Sequence, residues 1–125
     1  MSRPMFLTLA DDSWQRAHYA LVIAAGGLSL GRDVTIFAGG RSVLALTADW
    51  SGLAGFIPDD TLADRGIAGF GELREAVMEL GATVMACETG LKLASLSPHD
   101  LVDGVSVRGI VTFLELAGDN PVLAL

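Results

Sequence analysis

Short apolar runs alternate with longer stretches in which apolar residues return every three or four positions, and this alternation extends along almost the whole chain. A parallel sheet with helices packed on both faces and right-handed crossovers buries both kinds of segment at once. Met5 to Ala10 reads as a buried first strand, closed by Asp11-Asp12-Ser13, a helix N-cap signal. Trp14, Ala17, Leu21, Ala24, Ala25 and Leu28 then mark one face of a helix that Gly31 stops. Val34 to Ala38, with three β-branched residues at its start, is the second strand, so a βαβ unit is complete by residue 38. Leu73, Ala76, Val77 and Leu80 restore the helical period up to Gly81. Thr83 to Ala86 is the third strand.

Beyond it, Leu91 and Ala94 sketch a short helix, and Ser97-Pro98 reads as the cap and first position of another, running through His99-Asp100-Leu101-Val102 toward Gly104. Val105 to Val107 is a brief strand, Ile110 to Ala117 a helix stopped by Gly118, and Val122 to Leu125 a last strand. The sum is about five short strands in an α/β chain. At 125 residues, one domain spanning 1–125 with one core is expected.

From Asp49 to Gly71 the period fails, broken by Pro58 and several glycines, while Trp50, Phe56, Ile57 and Phe70 interrupt the polar residues. So long an irregular segment in a small domain has two readings: its aromatics anchor it to the core or to a neighbouring subunit, or it forms a lid over the site.

Hydrophobic residues make up 51% of the chain. The longest nearly apolar stretch, Tyr19 to Leu30, is too short to span a bilayer, which takes roughly 18–20 residues. The excess is instead expected at a subunit interface, in a homo-oligomer. A net charge of −7 argues against nucleic acid as a partner, since phosphate binding draws on clustered Lys and Arg. With one cysteine, no intrachain disulfide can form, and Met1-Ser2-Arg3-Pro4 opens no signal-peptide pattern, so a reducing cytoplasm is the expected home.

That cysteine, Cys87, stands where the third strand meets the next helix. Ligands and reactive groups gather at the carboxyl ends of parallel strands, where helix N–H groups point outward. A helix N-terminus favours a negative charge by about 0.3–1 kcal/mol, a bias toward thiolate that neighbouring Glu88 opposes. A packed, inert thiol is the other reading, and it is the usual state of a free cysteine. Other chemistries find less footing. Asp11-Asp12 could hold a divalent metal as in receiver domains, but the third strand ends in Cys87 where such a site needs an aspartate, so capping is the better reading and no metal is expected. Gly39-Gly40-Arg41 is neither a phosphate loop nor a dinucleotide fingerprint. The histidines are His18, inside the first helix, and His99, the sole plausible base for a Cys–His pair. Without a second cysteine there is no resolving thiol, which leaves a thiol that accepts a group and hands it on.

Val84-Met85-Ala86-Cys87-Glu88-Thr89-Gly90-Leu91-Lys92-Leu93, followed by Asp100-Leu101-Val102-Asp103-Gly104-Val105-Ser106-Val107-Arg108-Gly109 and the helix from Ile110 to Ala117, resembles the DsrE/DsrF-like family over nearly the whole length of the chain. The resemblance implies a three-layer α/β/α sandwich with a five-stranded, mainly parallel sheet, assembled as homotrimers or hexamers, and it implies sulfur-relay chemistry without a cofactor. In relay members the cysteine after the third strand accepts sulfane sulfur as a persulfide and passes it to a partner protein, and Cys87 matches that position. Backbone N–H groups at Glu88, Thr89 and Gly90, with the Thr89 hydroxyl, are then expected to stabilise the sulfur's charge. A sulfur carrier or sulfurtransferase-like protein served by donor and acceptor proteins is one expectation. A non-catalytic structural or regulatory subunit with Cys87 packed is the other.

Overall fold

The computed structural model describes residues 3–125, so Met1 and Ser2, where the reading of the N-terminal segment begins, lie outside it. Five strands form one sheet: β1 (Met5–Leu9), β2 (Val34–Ala38), β3 (Thr83–Cys87), β4 (Val105–Arg108) and β5 (Val122–Ala124). Their spatial order is β4-β3-β2-β1-β5, and every neighbouring pair is parallel. The helices are α1 (Trp14–Ser29), α2 (Asp59–Asp64), α3 (Phe70–Glu79), α4 (Glu88–Leu93) and α5 (Ile110–Ala117), with 3₁₀ segments at Gly40–Leu46 and Pro98–Asp100.

Side chains alternate across a strand, and this sorts the core onto two faces. Leu7, Leu9 and Ile36 point into a cluster with Trp14, Ala17, Ala20, Leu21 and Ala24 of α1 and with Phe70 and Val77 of α3. Ala38, Val84 and Ala86 continue the same face beneath Leu91 of α4 and Val43 of the 3₁₀ segment. The opposite face carries Phe6, Phe37 and Met85, packed against Phe113 and Ala117 of α5, with Cys87 and Val122 at the margin. The two faces are unequally clothed. Helices α1 to α4 and a 3₁₀ segment lie on one, whereas among the described residues α5 alone covers the other.

The ends of α1 follow the sequence: Ser13 is its N-cap and accepts from the Arg16 N–H at 3.1 Å, and the helix stops at Ser29 with Leu30 as its cap. Two segments take a form that the pattern reading did not give. The apolar run Val43-Leu44-Ala45-Leu46 belongs to a 3₁₀ helix, whose tight turn buries Val43 and Leu46 against β2 and β3 while Ala45 faces the larger cluster. The short helix expected from Pro98 to Val102 is a three-residue 3₁₀ turn, held by Asp100 accepting from the Ser97 N–H at 2.8 Å. Leu101 has already left it to form a bridge with Thr47.

The irregular segment contains α2 and is pinned to the α1/α3 face. Asp59 of α2 accepts from the N–H groups of Phe70 and Gly71, at 2.8 and 3.1 Å, and so caps α3 from outside it. Trp50 stacks on Phe70 with ring centroids 5.2 Å apart, and Phe56 and Ile57 pack against the same cluster. Arg74 lies over the Trp50 ring at 4.9 Å and donates to the carbonyls of Ala45 and Thr47, at 2.8 and 2.7 Å. Burial lowers the Arg74 pKa from its ordinary value, and the Asp59 carboxylate opposes that shift. These contacts make the segment an anchor on the face of the sheet away from the Cys87 side chain. No helix among the described residues is long and apolar enough to cross a membrane.

Candidate functional site

Three strand ends, β1, β2 and β3, converge at the carboxyl edge of the sheet, and their loop backbones touch. Gly40 adopts φ +52°, a left-handed conformation that L side chains rarely take, and a Cβ there would run into the carbonyl oxygen of Ala10. Gly90, in the first turn of α4, lies in turn against the Gly40 carbonyl and 3.0 Å from Val43 Cγ1, counted from where its own Cβ would be. The residues after β1, β2 and β3 thus stack backbone on backbone. This close approach fixes α4, and with it Cys87.

Cys87 is both the last residue of β3 and the N-cap of α4, with extended backbone angles of φ −69° and ψ 128°. Its side chain makes no capping hydrogen bond. The thiol is half-buried and packs at the margin of the Phe6, Phe37, Met85 and Phe113 cluster. Glu88 and Thr89 are exposed at the start of α4, whereas Gly90 is buried. The N–H groups of Glu88, Thr89 and Gly90 are the first-turn donors that a helix leaves unpaired. All four residues expected at the site are therefore adjacent, but Gly90 has a second duty, as the residue that lets α4 approach Gly40. Replacing it with alanine is expected to lower stability by about 1–3 kcal/mol, the usual cost of overpacking, with a lower midpoint in denaturant titration and a changed rate of Cys87 alkylation.

The register brings one residue to the site that motif reading passed over. Cys87 pairs with Arg108 across β3 and β4, so both side chains leave the same face of the sheet. Arg108 is exposed and its guanidinium donates to the Val107 carbonyl at 2.8 Å. Its alternation with Ser106 was visible in the sequence, but only strand pairing says which residue of β3 it stands beside.

The remaining candidates have structural partners. Asp11 accepts from the Ser13 N–H at 3.0 Å and from Arg16 at 2.9 Å. Asp12 pairs with Arg41 at 3.4 Å. His18 stacks on Trp14, ring centroids 4.8 Å apart, with its Nε2 2.9 Å from the Ala68 carbonyl oxygen. His99 is exposed in the 3₁₀ turn after α4, and no hydrogen bond joins it to Cys87 among the described residues.

With this geometry in place, the likeness to other proteins has a structural context. No family model matches the chain. A curated relative, the sulfur carrier protein DsrE2 of Allochromatium vinosum, is 30% identical over 61 residues, 49% of this chain; the match spans 38% of that protein, well under half its length. Two solved structures share the fold. YchN of E. coli aligns with a TM-score of 0.64 at 17% identity, over 98% of this chain and 99% of its own. MTH1491 of Methanobacterium thermoautotrophicum, described as a protein of unknown function, aligns with a TM-score of 0.65 at 15% identity over the whole of both chains. The chain is DsrE-like in its fold, and over about half of its length it is also similar in sequence to a sulfur carrier of that name.

Proposed function

We propose that this protein is a sulfur carrier in which Cys87 accepts sulfane sulfur and passes it to a partner protein. The observation that carries this reading is the place of Cys87: half-buried, free of any capping bond, at the carboxyl end of an inner strand and at the N-terminus of α4. The likeness to a DsrE2 sulfur carrier supports the same chemistry.

The step balances without an outside oxidant. The Cys87 thiolate attacks the terminal sulfur of a donor persulfide, a new S–S bond forms on Cys87, and the donor leaves as its thiolate. Transfer onward is the same exchange in reverse, with an acceptor thiolate as the nucleophile. The first-turn N–H groups of Glu88, Thr89 and Gly90 favour negative charge beside the sulfur, and the exposed Thr89 hydroxyl is free to donate to it. The exposed Glu88 carboxylate opposes them and restrains the nucleophile.

Intact mass after incubation with a persulfide donor tests the reading. A gain of about one sulfur atom per chain, removed by reductant, is the expected result. An unchanged mass in folded protein would overturn it and favour a non-catalytic subunit in which Cys87 serves the packing of the α5 face.

A further inference from the structure

Arg108 is the last residue of β4, an edge strand, and its register partner on β3 is Cys87. Neighbouring strands lie about 4.8 Å apart, and side chains paired in register leave the sheet on the same side. The Arg108 side chain therefore starts one strand spacing from the thiol, on the side where Cys87 packs beside Phe113. It is exposed, and among the described residues its one side-chain hydrogen bond goes to the Val107 carbonyl. A guanidinium carries five N–H donors, so most of them are left for another partner. No ion pair neutralises its charge either: among the described residues the pairs are Arg16 with Asp11 and Arg41 with Asp12.

The surroundings give this cation a use. With 8 basic against 15 acidic residues the chain has a net charge of −7, which repels anions as they approach. Beside Cys87 the exposed Glu88 adds to that repulsion, and the basic residue nearest to it in sequence, Lys92, sits in the last turn of α4. Arg108 thus reverses the sign of the field at the strand end that carries the thiol. One cation among mixed signs is a poor base for docking a protein, which takes about 800 Å² of surface on each partner. It suits a single carboxylate, which a guanidinium grips through two parallel N–H bonds.

We propose that Arg108 selects the sulfur donor: it binds a carboxylate carried close to the sulfane sulfur of a small persulfide and so holds that sulfur against Cys87. This rests on the carrier reading of Cys87. The exchange itself is unchanged, since the thiolate attacks the terminal sulfur, the new S–S bond forms on Cys87, the donor leaves as its thiolate, and the carboxylate keeps its charge throughout. Loss of the anchor therefore slows anionic donors and spares uncharged ones.

Two pairs of reagents test it. Iodoacetate and iodoacetamide alkylate a thiol by the same displacement and differ by one charge, so the ratio of their rates at Cys87 cancels any change in the exposure or ionisation of the thiol. Arg108→Gln is expected to lower the iodoacetate-to-iodoacetamide ratio about threefold to fivefold, the scale of one exposed ion pair, Arg108→Glu about tenfold, and Arg108→Lys less than about twofold. Raising the salt to about 1 M is expected to erase these differences. Sulfur loading, followed by intact mass, is expected to fall in the same order with glutathione persulfide, which carries carboxylates, and to hold constant with the persulfide of mercaptoethanol, which carries none. A ratio equal in all the variants and the native protein overturns the proposal and, where the native protein still loads sulfur, leaves the carrier reading standing. Loading that falls equally from both persulfides overturns donor selection as well. Native protein that is alkylated at Cys87 but gains no sulfur from either donor overturns both readings. The position is exposed, and thermal melting establishes that each variant is folded.

Discussion

A Cys87→Ser protein should take up no sulfur from a persulfide donor while keeping its fold and its mass in solution. The chain has one cysteine, so no other thiol can substitute. Serine preserves the shape of the side chain, and the site demands little else, because the Cys87 side chain makes no capping hydrogen bond that the hydroxyl would have to reproduce. A serine hydroxyl is not ionised near neutral pH and cannot displace a sulfur leaving group under these conditions, so the expected loss is complete. The cost in stability is small by comparison, since the position is half-buried and a hydroxyl there can reach solvent. Intact mass with and without reductant reads the first effect, and sedimentation together with thermal melting reads the second. A variant that gained a reducible sulfur as the native protein does would place the acceptor elsewhere and end the carrier reading.

The largest effect on stability is expected from Phe113→Ala, which should cost about 3–5 kcal/mol. Phe113 is 0% exposed and meets Phe6 edge-on at 6.0 Å and Phe37 at 5.3 Å between ring centroids. These three rings and Met85 are the middle of the α5 face. Elsewhere in the fold a lost ring is flanked by neighbouring helices that can close in, but among the described residues no other helix packs on the α5 side of the sheet, and Ala117 is the only other buried residue of α5. The cavity therefore stays open or the helix lifts away. Chemical denaturation measures the change in free energy, and a loss under about 1 kcal/mol would mean that α5 is held by something other than this ring. Faster alkylation of Cys87 in the variant is expected as well, because the thiol packs at the edge of the same cluster.

How much of this was legible in the sequence depended on which interactions fix each element. β2 and β3 are inner strands and their apolar runs are continuous, so β2 could be bounded at both ends from sequence alone and β3 to within a residue. α1 declared itself by spacing and by the Asp11-Asp12-Ser13 cap. Val43 to Leu46 was ambiguous because four apolar residues in a row have no period, and what decides their 3₁₀ form is tertiary: a turn between β2 and the residues that follow. α2 was hidden for a related reason. Six residues buried mainly through Leu62 leave almost no periodic signal, and its other function, lending Asp59 to cap α3, acts across a loop. At the site, Cys87 and the first turn of α4 could be located from the strand-to-helix transition. The crowding of Gly90 on Gly40 and the pairing of Cys87 with Arg108 could not, since both are contacts between segments far apart in the chain.

One helix joining β4 to β5 also ties together the two outermost strands of the sheet. If α5 detaches, both flanks loosen in the same event, and β3 and β1 are left with unpaired backbone groups on their open sides. Such edges template the addition of strands from other chains. Phe113, which holds α5 down from within, therefore also guards the protein against aggregation at either flank.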